Sequence, residues 1–210
     1  MSGLLDLLNS PTGKQMISGV ADQTGNSIDQ TGSVLTMALP LLMGAMKKNA
    51  ATPEGAQGLM SALSNNHDGS ILNNLSGLFG GGVDESVKKD GAGILGHVLG
   101  NKQSKVESAI SQKSGVDTSS VASILKIAAP ILLGLIGQKK QQENINEPSG
   151  IQDLLGSMMG GGQQANKQQS LIESFLDSDG DGSVLDDVAA LALGGDKGGI
   201  GGMLGGLFGK

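Results

Sequence analysis

The chain has 210 residues and a formal net charge of −6, with 36 glycines, three phenylalanines as its only aromatic residues, no cysteine and no arginine. This composition argues against specific nucleic-acid binding, which usually needs a positive face with arginine to contact phosphate or guanine. Without cysteine, disulfides, thiol catalysis and zinc–thiolate sites are excluded.

The beginning of the chain and its apolar stretches give no sign of membrane insertion. Residues 1–14 have neither a basic n-region nor a continuous apolar h-region, so a standard secretory signal is not expected. Residues 34–46 and 121–137 are apolar but contain Pro and Gly, and each falls short of the roughly 20 apolar residues of a membrane span. We therefore expect a cytoplasmic protein without a transmembrane span.

The clearest organisational feature is an internal repeat. Residues 33–46 align without gaps to residues 123–136, with Ser, Leu, Ala, Pro, Leu and Gly identical, at a separation of 90 residues (130 − 40 for the two prolines). The same separation joins Gly25 to Gly115, so the two copies are predicted to span about 16–48 and 106–140. The matches in register favour a duplication over chance similarity between two Leu-rich helices.

Each copy predicts a helix in the centre of a bundle, because its apolar segment has hydrophobic residues on nearly every side. Pro40 and Pro130 lack a backbone donor, so each helix is expected to kink there or to restart there with proline in its first turn. No segment has convincing strand alternation, and residues 91–113 are predicted to form one short and one longer helix. The predicted fold class is all-α: a pseudo-duplicated helical bundle over residues 1–160, with Gly-rich loops and a C-terminal EF-hand-like helix-loop-helix.

Residues 177–188 have the pattern of an EF-hand calcium loop. Asp177, Asp179 and Asp181 occupy loop positions 1, 3 and 5, Gly182 is at the sharp turn, and Ser183 offers its carbonyl at position 7. Three carboxylates this close together repel one another unless a cation screens them. An Asp-Gly-rich turn without metal is the alternative, and the pattern favours Ca²⁺ because Mg²⁺ tolerates irregular oxygen cages poorly.

This loop departs from the EF-hand pattern at its last ligand. Position 12 is Val188, whereas Asp186 and Asp187 lie at positions 10 and 11. A slightly shorter loop lets Asp187, or as a second choice Asp186, complete the coordination. The predicted metal ligands are therefore Asp177, Asp179, Asp181, Ser183 and Asp187, within an EF-hand-like segment over residues 165–193.

Other glycine-rich segments carry less chemistry. Residues 68–75 resemble residues 181–188 but lack the two preceding aspartates, so a simple turn is predicted there. Residues 194–210 are mostly Gly with scattered apolar residues and are expected to form a flexible tail. His67 and His97 are the only histidines, and no spacing around either one makes a recognised triad or zinc site. No catalytic residues and no cofactor other than Ca²⁺ are predicted.

The two segments Leu-Pro-Leu-Leu-Met-Gly and Ala-Pro-Ile-Leu-Leu-Gly, together with residues 90–103, resemble an uncharacterised bacterial family catalogued as a domain of unknown function. The family is distantly similar to the YidB-like proteins, and the resemblance covers roughly residues 1–160. It implies a bacterial, all-helical protein with a Gly-rich tail, and some relatives also end in an Asp-rich loop. It implies no catalytic residues.

These observations predict a non-enzymatic protein whose C-terminal segment is ordered by a single variant EF-hand-like calcium site. The expected partner is another protein or a second copy of the chain. The alternative is a membrane-surface or self-assembling protein that uses its Gly/Leu/Met-rich tail. An enzyme has the least support, since the sequence contains no nucleophile–base pair and no cofactor loop.

Overall fold

The computed structural model of the protein describes residues 8–159, and within that range every regular element is helical. This confirms the all-α prediction. The predicted EF-hand-like segment, residues 165–193, and the predicted tail, residues 194–210, lie outside the described residues. The α-helices are α1 (Pro11–Thr24), α2 (Ile28–Asn49), α3 (Pro53–Asn65), α4 (Leu75–Gly80), α5 (Glu85–Leu99), α6 (Gln103–Ser114), α7 (Thr118–Gln142) and α8 (Gly150–Met158), with 3₁₀ turns at Ser70–Asn74 and Gly100–Lys102.

The corners that lead into α2 and α7 have the same backbone geometry. Gly25 follows α1 and Gly115 follows α6 in the left-handed region, with φ values of 69° and 71°. In each corner the glycine N–H donates to a carbonyl of the preceding helix, that of Ala21 or Ser111. A residue with a β-carbon is strained in this conformation, which explains why glycine is found at both helix ends.

Both corners also start the next helix with a side-chain cap. The Ser27 hydroxyl accepts from the Gln30 N–H at 3.1 Å, and the Gln30 side chain accepts in return from the Ser27 N–H. Before α7, Asp117 accepts from the Ser120 N–H at 2.9 Å, and hydrogen bonds from Ser119 and Ser120 lower the pKa of Asp117 to about 2. The two corners are thus 90 residues apart in sequence and alike in geometry, while the duplication itself stays a prediction.

Helix α7 is the centre of the bundle. It packs against α1, α2, α3, α5, α6 and α8, and every residue from 127 to 137 is buried. Helix α2 is instead buried along one face, and its other face has exposed positions such as Ser33 and Thr36. Helix α7 is therefore a core helix, as expected, whereas α2 contributes to the core along one face only.

The two prolines lie inside continuous helices. Pro40 is in the middle of α2, and Pro130 is in the middle of α7, so neither helix restarts at its proline. A proline inside a helix removes one backbone hydrogen bond. In α7 that loss occurs where Pro130 is surrounded by the other helices, whose packing favours the continuous helix.

Because α7 continues through Pro130, it is the one helix among the described residues that is long and apolar enough to cross a membrane. The mean hydropathy of its most apolar window is 1.9, and 78% of that window is buried within the bundle. The expectation that Pro and Gly keep this segment below membrane-spanning length is wrong for the helix as it forms. This extent of burial is typical of the core helix of a bundle.

Thr31 is a buried polar residue in a mostly apolar core. Its side chain is fully buried in α2, and its hydroxyl oxygen has no hydrogen-bond partner among the described residues. Residue 121, which the repeat aligns with Thr31, is Val and is equally buried. A buried hydroxyl without a partner destabilises the folded state, because the hydroxyl loses its hydrogen bonds to water on folding.

We therefore expect Thr31→Val to raise the free energy of unfolding by about 1 kcal/mol, since the two side chains have nearly the same shape and are both β-branched. Thr36→Val is the matched control, because the exposed Thr36 hydroxyl donates to the Gly32 carbonyl at 2.8 Å and its loss changes stability by less than about 0.5 kcal/mol. Urea unfolding of both variants measures the difference. A Thr31→Val protein less stable than the wild type contradicts the expectation.

Glycines inside helices set the closest contacts of the bundle. A β-carbon at Gly91 of α5 would overlap the backbone carbonyl oxygen of Lys126 in α7. A β-carbon at Gly137 of α7 would overlap the backbone carbonyl oxygen of His67, in the turn after α3. The prediction of Gly-rich loops therefore misses a second role of glycine here, which is to let backbones approach each other.

Candidate functional site

The sequence-predicted calcium site cannot be placed in the structure. Asp177, Asp179, Asp181, Ser183 and Asp187 all lie outside the described residues, so their role as Ca²⁺ ligands stays a prediction. Within residues 8–159, no three His, Asp or Glu side chains come close enough together to hold a metal ion.

The segment that resembles the predicted calcium loop forms a turn, as expected. An Asp68 carboxylate oxygen accepts from the Ser70 N–H at 2.9 Å, which starts the 3₁₀ turn Ser70–Asn74. Hydrogen bonds from Ser70 also lower the pKa of Asp68. The Asp68 carbonyl accepts from the Gln141 side chain of α7 at 2.9 Å. Asp68 is thus engaged in holding the turn and its attachment to α7.

His67 precedes this turn and is buried. Its Nε2 lies 3.7 Å from the nearer carboxylate oxygen of Asp90 in α5, which is longer than a hydrogen bond. Burial lowers the pKa of His67, and the Asp90 carboxylate opposes that effect. The folded state therefore favours a neutral imidazole. His97 is exposed near the end of α5. Among residues 8–159, neither histidine has the hydrogen-bonded partners of a catalytic base.

A cleft between α5 and α7 brings basic side chains together. Its volume is about 470 Å³, and it lies beside the first turns of α7, with Gln23 and Thr24 of α1 completing the wall. Helix α5 contributes Lys88 and Lys89, and helix α7 contributes Lys126. The other lining residues are Glu85, Ala92, Ser119, Ser120, Ser123 and Ile127.

The three lysines differ in their partners. Lys88 pairs with Glu85 one turn earlier, with 2.8 Å between ammonium nitrogen and carboxylate oxygen. Lys89 and Lys126 have no ion pair or hydrogen bond with any side chain in residues 8–159. Lys89 is exposed and Lys126 is half-buried. Two ammonium groups are therefore available to a ligand, and the third is held by a mostly exposed carboxylate.

Other polar groups of the lining are already engaged. Ser119 donates to Asp117, and Ser123 donates to the Ser119 carbonyl. The Gln23 side chain donates to the Phe79 carbonyl of α4 and accepts from the Val83 N–H after that helix. Hydrogen bonds from Ser119 and Ser120 lower the pKa of Asp117, the capping residue of α7. The lysines are thus the groups with most capacity to bind an incoming anion.

The sequence contains a signal for this cleft in the spacing of its polar residues. Residues 85, 88, 89 and 92 share one face of α5, and residues 119, 120, 123, 126 and 127 share one face of α7. Each face reads as an ordinary polar surface by itself. Only the packing of α5 on α7 brings the three lysines to one place.

Comparison with known proteins identifies a family that covers most of the chain. The family model "Bacterial protein of unknown function (DUF937)" matches residues 6–139 and 148–210. No curated protein and no solved structure matches the chain significantly. The matched ranges include the first predicted repeat, the second as far as residue 139, and the predicted calcium loop.

Proposed function

We propose that this chain, which belongs to the DUF937 family of bacterial proteins of unknown function, is a non-enzymatic protein whose C-terminal segment binds a single Ca²⁺ ion. The ion neutralises the clustered carboxylates of Asp177, Asp179 and Asp181 and thereby orders the chain around them. Ser183 contributes its carbonyl and Asp187 completes the coordination. The expected partner of this segment is another protein or a second copy of the chain.

The single observation that carries this proposal is the spacing of the aspartates. Oxygen donors at alternate positions, followed by a glycine at the turn, are the arrangement by which a short loop wraps a calcium ion. The displaced final carboxylate favours weaker binding than a complete EF-hand loop has, because a bidentate ligand at position 12 normally closes the site.

Calcium titration of the full-length protein tests the proposal. We expect isothermal titration calorimetry to detect one saturable site, and the double variant Asp179→Ala with Asp181→Ala to abolish it, because two of three clustered carboxylates are removed. Asp22→Ala with Glu147→Ala is the matched control, since it removes two negative charges from exposed positions of the bundle. If calcium up to millimolar concentration produced no heat and no spectroscopic change, the proposed calcium site would be wrong.

A duplicated origin of the bundle belongs to the same proposal. What supports it is the equal spacing of Gly25 and Gly115, of the two caps and of the two prolines. The two copies have since diverged in burial: α7 is surrounded by other helices, whereas α2 keeps an exposed face.

The alternative function is membrane-surface contact or self-assembly through residues 194–210. The apolar α7 is mostly covered by its own bundle, so membrane contact would depend on another part of the chain. Sedimentation with liposomes separates the two functions: a chain that ends at Leu193 loses binding if the tail is the anchor, and equal pelleting removes that role from the tail.

A further inference from the structure

We propose that the cleft between α5 and α7 is a binding site for a phosphate group of a small molecule or lipid headgroup, held chiefly by Lys89 and Lys126. This site is independent of the calcium loop, since its lining belongs to the bundle alone. The proposed binding involves no catalytic step and no metal ion.

The local charge of the cleft is opposite to that of the chain. The protein has a net charge of −6, yet three lysines and one carboxylate, Glu85, line the cleft, which gives the lining a charge of +2 (3 − 1). The Asp117 carboxylate, which accepts hydrogen bonds from Ser119 and Ser120 of the lining, lowers this to +1 (2 − 1). The cleft therefore keeps a positive excess that attracts an anion such as a phosphomonoester, which carries about −1.5 to −2 charges at neutral pH.

The geometry explains why the lysines converge. Gly91 lets the backbone of α5 contact the backbone of α7 at Lys126, so the helices touch directly beside the cleft. Lys88 and Lys89 lie within one turn of that contact on α5. The backbone positions of these lysines are therefore fixed on two helices in direct contact, and their side chains reach the same cleft.

Size and chemistry narrow the ligand further. The cleft volume of about 470 Å³ lies within the roughly 300–1,000 Å³ of small-molecule sites, so it exceeds what a bare phosphate ion fills. Ala92 and the buried Ile127 add an apolar part to the lining, next to the lysines. A phosphate attached to a small, partly apolar organic group fits this combination. Lysine binds phosphate as a point charge, so the contact does not require arginine.

The positive end of the α7 dipole adds less to phosphate binding than its position beside the cleft suggests. Ser119 and Ser120 lie in the first turn, but the Asp117 carboxylate already accepts from the Ser120 N–H. The Asp117 charge also opposes that of the lysines. The affinity for phosphate must therefore come from Lys89 and Lys126, with Lys88 added if its exposed partner Glu85 turns away.

The test uses the full-length protein in buffer with a calcium chelator, so that calcium phosphate cannot form. At constant ionic strength, inorganic phosphate is titrated while amide resonances of Ala92, Ser120 and Lys126 are followed by NMR. In parallel, the protein is sedimented with phosphatidylcholine vesicles that do or do not contain phosphatidic acid, whose headgroup is a phosphomonoester. Lys89→Gln with Lys126→Gln is the test variant, and Lys48→Gln with Lys102→Gln, outside the cleft, is the charge-matched control.

We expect saturable shifts at the three cleft amides and an affinity at least about tenfold weaker in the test variant than in the control variant, which equals the loss of about 1.4 kcal/mol. Lys89→Arg with Lys126→Arg should restore binding, which shows that a failed test variant lost charge rather than its fold. Binding only to phosphatidic acid vesicles, lost in the test variant, identifies a lipid headgroup as the source of the phosphate. Equal weakening in both glutamine variants, or no saturable binding to either probe, overturns the proposal.

Discussion

Replacing Gly91 by alanine is expected to destabilise the bundle strongly, at or above the upper end of the roughly 1–3 kcal/mol that overpacking costs. The added methyl would overlap the Lys126 carbonyl oxygen, which is backbone and cannot rotate aside as a side chain can. Relief therefore requires α5 and α7 to separate, and this pair makes the most extensive helix contact of the bundle. Urea unfolding followed by circular dichroism measures the loss.

Gly93→Ala is the matched control, because it makes the same chemical change two residues away in α5. Gly93 is exposed, and a β-carbon there would meet no atom within 4 Å. Alanine should raise stability at this position by up to about 1 kcal/mol, since glycine is the poorer helix former. Equal effects of the two substitutions would show that the α5–α7 contact is looser than the structure describes.

Gly137→Ala is expected to have the second large effect, again at or above the upper end of the roughly 1–3 kcal/mol range. A methyl group there would overlap the His67 carbonyl oxygen and approach Asp68. The turn after α3 must then lift from α7, and the hydrogen bond from Gln141 to the Asp68 carbonyl is lost with it. Thermal unfolding measures the total loss, while amide hydrogen exchange at Leu72 reports on the turn.

Gly44→Ala is the control for Gly137→Ala. Gly44 also lies inside a long helix, α2, but a β-carbon there would meet only the flexible end of Met159 at 4.0 Å. We expect this substitution to be neutral or stabilising. If Gly137→Ala behaved as Gly44→Ala does, the contact between the turn and α7 would be malleable rather than close-packed.

Local chemistry in the sequence was sufficient to predict the helical class, and it also explains two of the helix ends. Gly25 and Gly115 stop helices because glycine adopts the left-handed conformation without the strain of a β-carbon, and the polar residues after them start the next helices. These are short-range effects, so they can be predicted from neighbouring residues alone.

The same reasoning failed wherever the outcome depends on packing between distant segments. Pro40 and Pro130 were expected to kink their helices or to restart them, and neither helix restarts, because tertiary contacts stabilise the continuous helices more than one missing hydrogen bond destabilises them. Glycine is typical of loops, yet Gly91 and Gly137 lie inside helices. The close approach of a neighbouring backbone explains why these two helical positions are glycine. The lysine-lined cleft could not be found for the same reason, because Lys89 and Lys126 are far apart in sequence.

The central position of α7 has a consequence for how a ligand would affect the molecule. Because α7 packs against most of the other helices, we expect its amides to be released from hydrogen bonding only when the whole bundle opens. A ligand that bridges Lys89 and Lys126 binds the closed bundle and not the unfolded chain. By mass action, its binding free energy adds to global stability, so the melting temperature of the entire domain becomes a measure of its concentration.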